Sequence, residues 1–291
     1  MHYTIYALLA STFFAFSTLM SKFASKHRIT SANSLMGYFL LASSTLTIFL
    51  VPFTALTIPP ITILWKILIA VITFLVGYYL FYRGIFETDA SSFSPLFILQ
   101  SALIAFFAYI FLGERFPLSN YLYLLLIIFG AVLTNFDESI SIKSFFKKGV
   151  LYILGMQVLH AISNLFVGFA ITTLTPIDYI FWQYLIITIL TGIYFMIVKP
   201  KLSYSPKTLT PMFLAAWLGG IGAIFLFTAF QTNLTITATL SLLSAPIVLV
   251  ITFLASRFYP SLLEHHSGKI YLLRSIGLLI ILFATYSISR T

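Results

Sequence analysis

The stretch MQVLHAISN, Met156–Asn164, sets three hydrogen-bonding side chains inside an apolar run. Gln157, His160 and Asn164 stand at i, i+3 and i+7, which is one face of a helix. Tyrosines aside, His160 is the ionisable residue that falls near the middle of such a run. An imidazole in hydrocarbon is costly to insert, so it marks a proton site or a polar passage. The plainer reading is a neutral ring hydrogen-bonded between helices. The whole face carries the same choice, since amides facing lipid would go unsatisfied and must meet protein or a water-filled cavity.

Further polar and aromatic side chains sit at similar depth: Ser17, Tyr79, Gln100, Ser101, Trp182, Gln183, Trp217 and Ser244. Together with the first three they are the candidates for a substrate cavity. Serine can instead bond back to its own helix carbonyl. Tryptophan and tyrosine offer a face to a cation, but in membranes they also serve as interface anchors. WLGGIGA places Gly219, Gly220 and Gly222 within one run, and Pro246 interrupts another. These allow a bend or a close helix approach, hence a hinge, although static packing uses them equally.

The seven acids all lie at the ends of runs or between them, so no carboxylate is buried as a proton-coupled antiporter would need. Two of them raise a separate question. FETD at Phe86–Asp89 is repeated as FQTN at Phe230–Asn233, with both carboxylates replaced by amides. Arg83 with Glu87 and Asp89 is a candidate gate; a solvated loop that has drifted is the alternative.

Catalytic patterns are missing. There is no cysteine, no HExxH, GxSxG or P-loop, and His265–His266 has no third ligand beside it. The expectation is no enzyme, no cofactor and no metal.

The elements that must position these groups follow from composition. Of 291 residues, 60% are hydrophobic and 8% charged, with a mean hydropathy of +1.04; a soluble domain carries about 25% charged residues. Apolar runs of membrane-spanning length recur throughout, predicting an all-α polytopic membrane protein with ten spans: Tyr3–Ser25, Ala32–Val51, Thr62–Tyr82, Ser92–Leu112, Leu118–Asn135, Gly149–Ala170, Ile177–Val198, Pro211–Phe230, Thr237–Ser256 and Ile270–Ile288. The net charge of +9 comes from Lys and Arg at the ends of these runs, as membrane topology signals do, and not from a nucleic-acid patch.

The halves repeat. Phe86 and Phe230 are 230 − 86 = 144 residues apart, and FAFSTLMSKFA at Phe14–Ala24 aligns with HAISNLFVGFA at His160–Ala170, pairing Ser17 with Ser163. Five spans per half is an odd number, so the second half enters from the opposite side. The expected architecture is two inverted five-helix repeats, 1–136 and 149–291, joined by a connecting loop at 137–148, a transporter arrangement.

LGERFP at Leu112–Pro117 resembles the Leu-Gly-Glu-Arg-Leu element of the EamA-like branch of the drug/metabolite transporter superfamily. FETDASSFSPLFILQSALIAFFAYIFLGE and ATLSLLSAPIVLVITFL at Ala238–Leu254 resemble the two copies of its repeat signature. The resemblance implies a ten-helix transporter with a central cavity between spans one, three, four, six, eight and nine, and makes Gly113, Glu114 and Arg115 the family motif. Glu114 has no counterpart in the second half, where the aligned position is near Phe258.

The functional expectation is a secondary transporter moving small polar metabolites such as amino acids by alternating access, in a bacterial inner membrane, as a monomer or weak homodimer. Its partners are a small-molecule substrate and the lipid bilayer, with no nucleic acid. The alternatives are an importer or exchanger of a larger nucleotide-like metabolite, and a scaffold or receptor that transports nothing. Basic residues border the odd-numbered connections, which places both termini outside; the resemblance implies both in the cytoplasm.

Overall fold

The computed structural model describes residues 2–27, 29, 31–87, 97–115, 117–134, 148–202, 205–244, 247, 251 and 268–288. Of these, 89% are helical and none is in a strand. The α-helices in chain order are α1 His2–His27, α2 Ala32–Leu50, α3 Ile61–Glu87, α4 Phe97–Phe107, α5 Leu118–Thr134, α6 Lys148–Ile171, α7 Pro176–Val198, α8 Pro206–Phe230, α9 Leu234–Leu240 and α10 Gly268–Ile288. A wider π turn, Ala108–Leu112, extends α4. Six of the helices, α1, α2, α3, α6, α7 and α8, are long and apolar enough to cross a membrane. The chain is a multi-pass integral membrane protein.

Helix ends follow local chemistry. Ser31 accepts a hydrogen bond from the Ser34 amide to start α2, and Thr175 accepts from the Asp178 amide to start α7, whose first residue is Pro176. Gly113, at φ 68°, closes the π turn in the left-handed conformation that glycine adopts without strain. The described part of the fourth span starts at Phe97, and Ser92–Leu96 lie outside the described residues. The ninth starts at Leu234, earlier than Thr237, because hydrogen bonds at its N-terminus extend it.

Packing joins the two halves more than it joins neighbours in sequence. The most extensive contacts are α1 with α8 and α3 with α6, followed by α5 with α10 and α2 with α7. The α2–α7 seam is polar: Ser44 donates to Thr191 Oγ1 at 3.1 Å, and Thr47 and Thr188 share a hydrogen bond of 2.9 Å. At the α5–α10 crossing, a Cβ on Gly130 would stand 2.7 Å from the Gly277 carbonyl oxygen. Many apolar side chains remain exposed on the outer faces of these helices, among them Ile5, Phe16, Ile72, Ile189 and Leu279, as suits contact with lipid.

α6 fixes the two ends of the bundle. Near its start, Gly149 O meets Gly84 of α3, and near its finish Gly168 meets Leu112 and Leu234. These glycines are 168 − 149 = 19 residues apart along α6, or about 28 Å of helix axis, close to the thickness of a hydrocarbon core. Phe86–Glu87, closing α3, and Phe230–Asn233, closing α8, therefore lie at opposite ends of the molecule.

Candidate functional site

His160 faces α3. Its ring is stacked on Phe74, with centroids 5.4 Å apart, and tilted against Tyr78 at 5.2 Å, while Nε2 lies 3.3 Å from the Phe74 carbonyl oxygen. Gly77 makes the room: a Cβ there would come within 2.5 Å of His160 Cδ2. One turn on, Ser163 donates to the Ala70 carbonyl at 2.9 Å. Asn164 turns back to its own helix, donating from Nδ2 to the His160 carbonyl at 2.8 Å. Gln157 is different. It is 0% exposed, and neither its amide nitrogen nor its oxygen has a hydrogen-bond partner. Its position, with Ala161 and Asn164, is in line with Gly168, the residue that meets Leu112 and Leu234.

The α1–α8 interface repeats this pattern. Ser17 donates to the Ala215 carbonyl at 2.7 Å, and the Phe14 ring sits where a Cβ on Gly222 would come within 2.9 Å. Ser17 matches Ser163 and Phe14 matches His160 in the sequence alignment of the halves; Ala70 matches Ala215 and Gly77 matches Gly222 within one residue of the same offset. One interface thus carries an aromatic hydrocarbon ring on its glycine, the other an imidazole. Gly219 faces Ser17, and Gly220 faces Leu46 and the Tyr184 hydroxyl. Trp217 donates from Nε1 to Thr45 Oγ1 at 2.8 Å and packs on Phe49 at 4.9 Å.

The remaining candidates scatter. Ser101 is buried and donates to the Ala238 carbonyl, linking α4 to α9. Gln100 and Ser244 are half-buried. Gln183 is buried, with its amide oxygen unpartnered. Trp182 points away to the Thr57 carbonyl, holding the α2–α3 connection together with Asp178, which accepts from the Ala55 amide. Pro246 and Asp89 lie outside the described residues. Thr45, Ser44, Thr47, Thr188 and Thr191 were not singled out by sequence, yet the i, i+3 polar pairs in two spans matched by the repeat mark that seam.

At the Glu87 end, Arg83 pairs with Glu87 at 3.4 Å within α3. Arg83 and Lys148 both stand about the Tyr152 ring, each 5.7 Å from its centroid. The ion pair is half-exposed and confined to one helix, so it ties nothing across the bundle, and pairs of this kind contribute little. Glu87→Gln is expected to leave thermal stability unchanged; a transport rate altered more than about twofold would show that the carboxylate does more than pair with Arg83.

At the other end, Glu114 reaches across the halves. Its Oε1 accepts from the Leu234 amide at 2.8 Å and its Oε2 from the Thr235 amide at 3.1 Å. Asn233 Oδ1 accepts from the Ile236 amide at 2.8 Å. The first three amides of α9 are all satisfied, two by a residue from the first half. Arg115, beside it, is exposed, with its guanidinium 5.9 Å from the Tyr109 ring centroid.

Comparison with known proteins bears on this geometry. Residues 2–136, a little under half of the chain, match the EamA-like transporter family. A solved crystal structure superposes with a TM-score of 0.71 over 97% of this chain and 94% of that one, at 13% identity, which speaks for a shared fold. No curated protein matches.

Proposed function

We propose, from the EamA-like match over residues 2–136, that this chain is a secondary transporter of small polar metabolites, of amino-acid type, working by alternating access in a bacterial inner membrane. Ten helices cross the membrane as two inverted repeats, 1–136 and 149–291, with 137–148 connecting them. The observation that carries this reading is the doubled contact between halves: Ser17 to Ala215 O in one interface, Ser163 to Ala70 O in the other, each followed by a ring seated on a glycine. Two interfaces alike in residue, geometry and sequence offset support a pseudo-two-fold axis between the halves, the arrangement in which one half rocks against the other.

The absence of a buried carboxylate from the sequence candidates favours uniport or exchange over proton antiport. Uptake into proteoliposomes across a panel of amino acids and related metabolites is expected to show saturable flux that a pH gradient does not drive. No substrate-dependent flux for any member would overturn the proposal.

A further inference from the structure

Glu114 joins two parts of the chain that alternating access must separate. α4 ends at Leu112, Gly113 turns the chain, and the next side chain spans to the N-terminus of α9, more than a hundred residues later. Beneath it, Leu112 and Leu234 close on Gly168 of α6, which has no Cβ to keep them apart. All seven residues of α9 are buried. Among the described residues, α4, α6 and α9 are closed on one another at this end.

The electrostatics favour a carboxylate here and explain FQTN. A helix N-terminus presents unpaired amides and the positive end of the helix dipole, so an anion accepting two of those amides is well matched. A carboxylate at Asn233 would stand beside Glu114 at the same helix end. The neutral amide caps α9 without repelling it. In the sequence alignment of the halves Asn233 matches Asp89, and the residue aligned with Glu114 is near Phe258, so the two copies carry the carboxylate at different positions.

We propose that Glu114 is a latch for this end of the transporter: it holds α4 against α9 while the end is closed, and its two hydrogen bonds to Leu234 and Thr235 break when that end opens. The inference rests on the alternating-access reading. Glu114 is a positioning residue and touches no substrate.

The absence of native cysteine allows a direct test. A single cysteine at Ala238, buried in α9 behind the tie, is probed with a membrane-impermeant maleimide, and Val150→Cys, buried at the opposite end, serves as the control. Glu114→Ala is expected to raise labelling at position 238 about tenfold while leaving position 150 unchanged, as the loss of a coupling between states does. Asn233→Asp, which keeps Glu114 but adds the opposing carboxylate, is expected to raise it as well, and carries the test if Glu114→Ala does not fold. A general loosening would raise labelling at both ends; that result, or no change at either, overturns the latch. The uptake panel fails independently: labelling that responds without any flux keeps Glu114 as the tie that controls opening of this end and sinks only the transport reading.

Discussion

Gly77→Ala is expected to destabilise the protein by about 1–3 kcal/mol, the usual cost of forcing extra atoms into a packed interface. The added Cβ would stand 2.5 Å from His160 Cδ2 and 2.7 Å from Nε2. The ring has no easy retreat, because Phe74 and Tyr78 hold its faces and the Phe74 carbonyl holds Nε2. Combining Gly77→Ala with His160→Ala removes the clash and should recover most of the loss, so the two changes are strongly non-additive. Thermal unfolding in detergent reads both. A melting temperature for Gly77→Ala equal to the parent's would mean that the ring does not rest on the glycine. Gly222→Ala meets Phe14 in the same way, at 2.9 Å, and the same loss is expected at that interface.

That pair of contacts also shows which features could be read from residues alone. The offset that aligns Ser17 with Ser163 is visible in the sequence, and the structure makes it physical by giving both serines a carbonyl acceptor on the partner half. Long apolar runs made six of the spans legible because hydrocarbon leaves a chain few options but helix. The i, i+3, i+7 face was legible too, since helical period is local. What its members do was not. Asn164 bonds back to its own helix, and His160 wedges against α3 where a glycine eighty-odd residues away leaves room. Glu114 was marked as part of a motif, but its role depends on α9 ending up beside it, a contact that no local pattern encodes. Trp182 illustrates the reverse case, in which a residue placed among cavity candidates spends its indole N–H on a connecting segment.

Gln157→Met is expected to leave stability unchanged or raise it by about 1 kcal/mol while reducing transport more than about tenfold. The two halves of the expectation come from one observation. A carboxamide offers two donors and one acceptor atom, and at Gln157 both ends are fully buried without a partner. Leaving such a group unsatisfied costs about 1–3 kcal/mol, and an apolar side chain of the same length removes that cost without opening a void. Ser11, the residue matched to Gln157 by the repeat, is equally buried but donates to the Ala7 and Leu240 carbonyls. The first half has resolved the position and the second has not. Under the transport reading proposed above, a group that weakens the resting protein has its compensation elsewhere in the cycle, where a polar substrate passing between α6 and its neighbours would supply the missing partners. Melting temperature and initial uptake rate then move in opposite directions, or at least independently. A Gln157→Met protein that is less stable yet transports normally would make the amide a structural tie instead.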